Sequence, residues 1–191
     1  GFGALDANTT ASNNTAVGYA SLGANTTGTF NVGIGQGALD ANTTASQNTA
    51  VGAVSLTTNT TGADNVAVGT SSLGLNTTGG QNTGLGTNAL YANTTASNNT
   101  AVGFNSLIAN TTGSQNVAVG TIAGDALTVG SANIAVGYAS LSSDTQGSKS
   151  IAIGTGALFT QNFTSATNAY NTAVGDSAGN AVTTGVENTI I

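Results

Sequence analysis

Side chains able to do acid–base or metal chemistry are few in this 191-residue sequence: seven carboxylates (Asp6, Asp40, Asp64, Asp125, Asp144, Asp176 and Glu187), one cation (Lys149), no His and no Cys. General acid–base catalysis needs titratable groups held together at a substrate, and a nucleophile needs a base beside it. A metal needs several convergent ligands. The carboxylates fall at several different phases of the repeat described below, and the three that share a phase, Asp6, Asp40 and Asp125, lie in non-adjacent copies. This inventory predicts no catalytic, metal or cofactor site, and the chain reads as a non-enzyme. One Lys also gives no footprint for phosphate binding, which argues against nucleic acid as a partner. Gly33-Ile34-Gly35-Gln36-Gly37 has the look of a phosphate loop but opens no helical pattern.

The polar pattern that does recur is Asn-Thr-Thr. Asn8, Asn25, Asn42, Asn59, Asn76, Asn93 and Asn110 lie 17 residues apart, each in an N-x-T motif, and Asn13, Asn98 and Asn162 add further matches. Two chemistries fit. The seven are candidate N-glycosylation acceptors, or they form a turn whose Asn side chains stack and hydrogen-bond along an axis. Stacking is the favoured reading, because glycans about 5 Å apart on successive coils would crowd one another.

The spacing of 17 runs through the whole chain. Asn14, Asn31, Asn48, Asn65, Asn82, Asn99, Asn116 and Asn133 open successive copies, Ser150 takes the next place, and Asn171 follows after 21 residues. The copy spanning 150–170 therefore carries a four-residue insertion, and Asn188 resumes the period. Such a period predicts a repeat architecture over residues 1–191, a single domain read as an internal segment of a longer fibre. Numbering each copy from its Asn, position 5 is Gly throughout (Gly18, Gly52, Gly86 and so on) and reads as a corner. Position 4 is always Val, Ile or Leu and reads as the core, with position 2 (Thr, Val or Ile) on the same side. Position 3, Ala or Gly until the last copy, reads as a smooth outer face built for close approach between chains. Leu at position 9 anchors a second run, except where Gly124 and Gly179 replace it and Leu127 and Val182 appear three residues later.

Each copy thus supplies two extended runs and two turns, one coil of a parallel β-solenoid. About eleven coils at roughly 4.8 Å predict an all-β rod on the order of 50 Å long. No apolar run reaches the ~18 residues needed to span a bilayer. The residues richest in potential contacts beyond the repeat are Phe159, Phe163 and Tyr170, in and beside the insertion, where solenoids commonly place binding elements. Ranks of Thr on a solenoid also raise an ice-binding reading.

Ser150–Gly154 reads SIAIG, and both Asn65–Gly69 and Asn116–Gly120 read NVAVG. These cores resemble the YadA-like head repeats of trimeric autotransporter adhesins, and the longer pattern NTAVGxxSLxxNTTGxx is similar to repeats of tail-fibre-domain proteins. The resemblance spans essentially the whole chain. It implies a left-handed β-roll, a homotrimer of parallel chains, a location outside the cell at a cell surface or virion, and a structural role in adhesion. The partners it implies are other copies of the chain and a host-surface glycan or protein receptor. The alternative from a different class is an ice-binding or glycan-binding solenoid.

Overall fold

The computed structural model describes residues 1–191 and is an all-β solenoid without helices. In each copy but the last, positions 2 to 4 form a strand: a β-branched residue, then Ala or Gly, then a branched aliphatic, a composition that suits extended backbone. The strands are β1 (Thr15–Val17), β2 (Val32–Ile34), β3 (Thr49–Val51), β4 (Val66–Val68), β5 (Thr83–Leu85), β6 (Thr100–Val102), β7 (Val117–Val119), β8 (Ile134–Val136), β9 (Gly147–Ser148), β10 (Ile151–Ile153), β11 (Thr167–Asn168), β12 (Thr172–Val174) and β13 (Thr189–Ile190). All but β9 and β11 stack in sequence order as one 11-stranded parallel sheet. The register is one copy throughout, so that Ala67 sits on Gly84 and Val68 on Leu85. The four-residue insertion changes nothing in that register: Ile153 pairs with Val174, 21 residues on. Its surplus is absorbed beyond the strand, in the turn that precedes β11, which pairs with β9.

Glycine at position 5 is required on two counts. Its φ lies between 130° and 138°, a region L side chains rarely adopt. A Cβ on Gly69 would also fall 2.6 Å from the backbone carbon and oxygen of Gly86 in the next coil.

The interior is the reverse of what the hydrophobic pattern predicts. Position 3 faces inward: Ala50, Ala67, Ala101, Ala118 and Ala152 are fully buried and join the Leu column at position 9 in one continuous core. Position 4, expected to be the core, points outward; Leu85 is 41% exposed and Ile153 39%. The coil is too thin to hold two large side chains facing each other. Leu from the opposite run fills it, and a Cβ on Gly33 would already lie 2.6 Å from Ser21 Oγ and 3.4 Å from Leu22 Cγ. The strand can therefore offer little more than a methyl group to the inside, except in the last coil, where Gly179 stands in place of Leu and Ile190 packs into the room it leaves.

The second run expected in each copy is not extended: positions 6 to 9 form turns, and the Leu side chains reach this interior through left-handed backbone. All nine position-9 leucines, from Leu5 to Leu158, have φ between 48° and 55°. That conformation costs about 1–2 kcal/mol for an L residue, which full burial of a Leu side chain, worth about 1.5–3 kcal/mol, offsets. Outward residues at positions 7 and 17, such as Ser71 (φ 58°) and Gln81 (φ 60°), turn the chain at two further corners.

This arrangement orders two adjacent substitutions. Ala67→Val should destabilise the monomeric chain by about 1–3 kcal/mol through overpacking, whereas Val68→Thr should change it by less than about 0.5 kcal/mol. Guanidinium unfolding of the two variants checks this, and the opposite ranking would place position 4 inside.

Candidate functional site

The Asn-Thr-Thr column is part of the interior. Asn25, Asn42, Asn59, Asn76, Asn93 and Asn110 are fully buried, and only Asn8, in the first coil, is partly open. Each Nδ2 donates to the Oδ1 of the Asn one coil back: Asn42 to Asn25 at 2.9 Å, Asn76 to Asn59 at 2.8 Å, Asn93 to Asn76 at 2.7 Å. The same nitrogen also donates to the carbonyl three residues on, as Asn76 does to Gly79 at 2.9 Å. An amide is both donor and acceptor, so one Asn can satisfy the next without limit. The next residue ties the same turns of successive coils together: Thr77 Oγ1 donates to the carbonyl of Thr94, one coil on, at 3.0 Å. The second Thr of each motif is exposed.

A second buried ladder was used in the sequence only to mark the period. The opening Asn residues from Asn31 to Asn116 are fully buried. Here the Oδ1 of each accepts from the backbone N–H of the next, Asn65 from Asn82 at 3.0 Å. Their Nδ2 atoms donate to the carbonyl that already serves the first ladder; Gly79 O accepts from both Asn65 and Asn76 at 2.9 Å. The signal that could have revealed this ladder is the near-invariance of a polar residue immediately before a strand, since a merely solvated position would tolerate substitution.

The first ladder stops at Leu127, one of the two copies whose apolar side chain has moved by three positions. Leu127 is fully buried and occupies the room left by Gly124, whose Cβ would lie 3.2 Å from both Leu107 and Leu127. Because Leu offers no N–H, Asn110 Oδ1 is left buried without a partner. On the other side of Leu127 the column restarts with Asp144, a fully buried carboxylate. Its Oδ1 accepts from the N–H groups of Gly147 and Phe163 at 2.9 and 3.1 Å, and its Oδ2 from Gln161 Nε2 at 2.6 Å. An acceptor-only group suits a place where the neighbouring coil presents nothing to donate to. Gln161 then links Ser150 at 2.9 Å and accepts from Asn171 at 2.7 Å, carrying the polar column through the insertion.

Of the aromatic residues singled out near the insertion, Phe159 (41%) and Tyr170 (50%) are exposed. Phe163 is not a surface contact: it is 6% exposed, because its backbone is drawn in to Asp144. Tyr170 instead meets Lys149, whose Nζ donates to the phenol oxygen at 3.0 Å and lies 5.0 Å from the ring centre. The surface has no pocket, and no three of the acidic side chains converge closely enough to hold a metal ion.

What the fold does expose is a flat strip. Positions 2 and 4 of β1 to β8, β10 and β12 project outward as two ranks of Val, Ile, Leu and Thr, including Val117, Val119, Ile134 and Val174, each more than a third exposed. The ranks run for about 50 Å with a width of about 10 Å, on the order of 500 Å², comparable to the largest apolar patches of ordinary monomers. No family model, curated protein or solved structure matches the chain.

The break in the ladder gives a double-mutant test. Leu127→Asn alone should cost about 2–4 kcal/mol through the cavity beside Gly124, and Gly124→Leu alone about 1–3 kcal/mol through overpacking. Together they restore the usual Leu and Asn pair in one shared space, so the double variant should lose about 1–3 kcal/mol less than the sum of the singles in chemical unfolding. Additive losses would show that positions 124 and 127 do not share one space.

Proposed function

We propose that this chain is a structural segment of an extracellular attachment fibre, built as a homotrimer of parallel solenoids at a cell surface or on a virion. The observation that carries the reading is the outward strip of positions 2 and 4. A long apolar strip on a thin rod is the kind of surface that another protein copy covers, and an identical chain repeats the same spacing coil for coil. The seam expected on the Ala and Gly of position 3 therefore moves to the Val, Ile and Thr of positions 2 and 4. The number three and the adhesive role are supported by the resemblance of the NVAVG and SIAIG cores to YadA-like heads. In this role the rod supplies length and stiffness, and a host glycan or protein receptor is met at its tip or along its exposed turns.

The same strip supports a second reading. Thr15, Thr49, Thr83 and Thr100 stand on it beside Val or Leu, with Val32 and Val66 between them in the same rank. A flat rank of hydroxyl and methyl groups is also what an ice-binding face presents.

Sedimentation analysis separates the two. A fibre segment should sediment as an elongated trimer, and the paired change Val68→Lys with Val102→Lys should yield folded monomers, because charges at the strip's centre repel across a seam while leaving the coil interior untouched. A folded wild-type monomer that shows thermal hysteresis would replace the fibre reading with the ice-binding one.

A further inference from the structure

Ten asparagines open an N-x-T motif, and the fold sorts them sharply. Asn13, Asn98 and Asn162 are exposed. The other seven form the first ladder, where six are fully buried and each of the six spends its Nδ2 on two hydrogen bonds, to the previous amide and to a carbonyl three residues on. In asparagine glycosylation that nitrogen attacks C1 of a sugar carried on a lipid diphosphate. The N–C1 bond forms, the C1–O bond breaks, the lipid diphosphate leaves, and Nδ2 gives up one proton. The product nitrogen keeps a single hydrogen and carries a saccharide. It can no longer make both ladder bonds, and the saccharide has no space in an interior where a side chain is stacked directly above and below.

The transfer takes place on unfolded chain, before any coil has closed, and at that stage the seven motifs are as open as the three exposed ones. Each ends in Thr and contains no Pro, which leaves them competent acceptors. A single modified Asn interrupts the ladder and keeps two coils apart. We infer that the ladder makes asparagine glycosylation incompatible with this fold, so that the chain is synthesised and folded where it meets no transferase using lipid-linked oligosaccharide. A chain that reaches the outside of a cell or virion does so by a route lacking that enzyme. This holds whether or not the chain assembles into a fibre, so its test is independent of the oligomeric state.

The experiment compares three preparations of the whole chain: made in a bacterial cytosol, secreted from a glycosylating eukaryotic cell, and secreted from the same cell with synthesis of the lipid-linked donor blocked. Intact mass and peptide mapping locate the glycans, while circular dichroism and protease digestion report folding. The expected result is that the secreted chain carries glycans on ladder asparagines and is digested as fast as urea-unfolded chain, and that blocking the donor restores the resistance of the cytosolic product. A set of exposed substitutions, Thr10→Val, Thr27→Val, Thr44→Val, Thr61→Val, Thr78→Val, Thr95→Val and Thr112→Val, removes the seven motifs while keeping every ladder Asn. Secreted, this variant should fold and carry sugar only at Asn13, Asn98 or Asn162. Folded wild-type chain bearing ladder glycans would overturn the inference, and so would folded, secreted wild-type chain whose ladder asparagines escaped modification.

Discussion

Every residue in this protein lies on a copy of its own position, one coil away, and each side chain must therefore be an acceptable neighbour to itself. Few chemistries meet that condition. Leucine does so by dispersion, and glycine at position 5 by leaving room for the next backbone. Asparagine does so because its amide carries donor and acceptor together, as in the 2.8 Å contact from Asn76 to Asn59. Charged groups fail it, since like charges one strand spacing apart repel. The composition follows from this constraint: only 4% of residues are charged, and no two carboxylates occupy the same position in successive coils. Asp6 and Asp40 share a column but are separated by Gly23.

The second governing term is backbone strain. Twenty-eight residues other than Gly have positive φ, among them the position-9 leucines and the whole outward column at position 17 from Asn13 to Glu187. A single strained coil would not persist. It persists here because the neighbouring coils over-determine it through stacked main-chain hydrogen bonds on both runs, such as Gly69 to Val51 at 2.8 Å and Leu56 to Ser72 at 3.0 Å. The irregular coils keep to the same logic with different parts. Leu127 substitutes for both a Leu and an Asn, Asp144 accepts where nothing needs a donor, and Gln161 reaches across the insertion to Ser150 and Asn171.

Period, the strand at positions 2 to 4, the polar turn and the insertion were legible in the sequence because each depends on residues close together in the chain: Gly at position 5, Asn-Thr-Thr at the bend, alternation across positions 2 to 4; the second extended run was not, because its Leu reaches the interior through left-handed turns. The facing of the strand was not. Alternation states that positions 2 and 4 share a side, and hydrophobicity assigns that side to the core, yet the true inside is decided by how much room Leu22 and its equivalents leave across the coil. That is a property of the opposite run and has no local signature. The same gap concealed the burial of Asn25 and its column, since Asn beside two Thr residues reads as a solvated turn, and the inward pull on Phe163, which only Asp144 explains.

The stacking of short coils also sets how the rod answers tension. Each coil holds 17 residues, about 55–60 Å of extended chain, within a rise of about 4.8 Å. Its inter-coil hydrogen bonds lie along the axis, so a pull on the two ends loads them coil by coil rather than all together. Losing one coil lengthens the molecule roughly tenfold more than that coil contributed when folded, and the neighbouring coil, still stacked on the rest, retains the register into which the released segment can return. A rod stacked this way yields in steps and shortens again when the load falls.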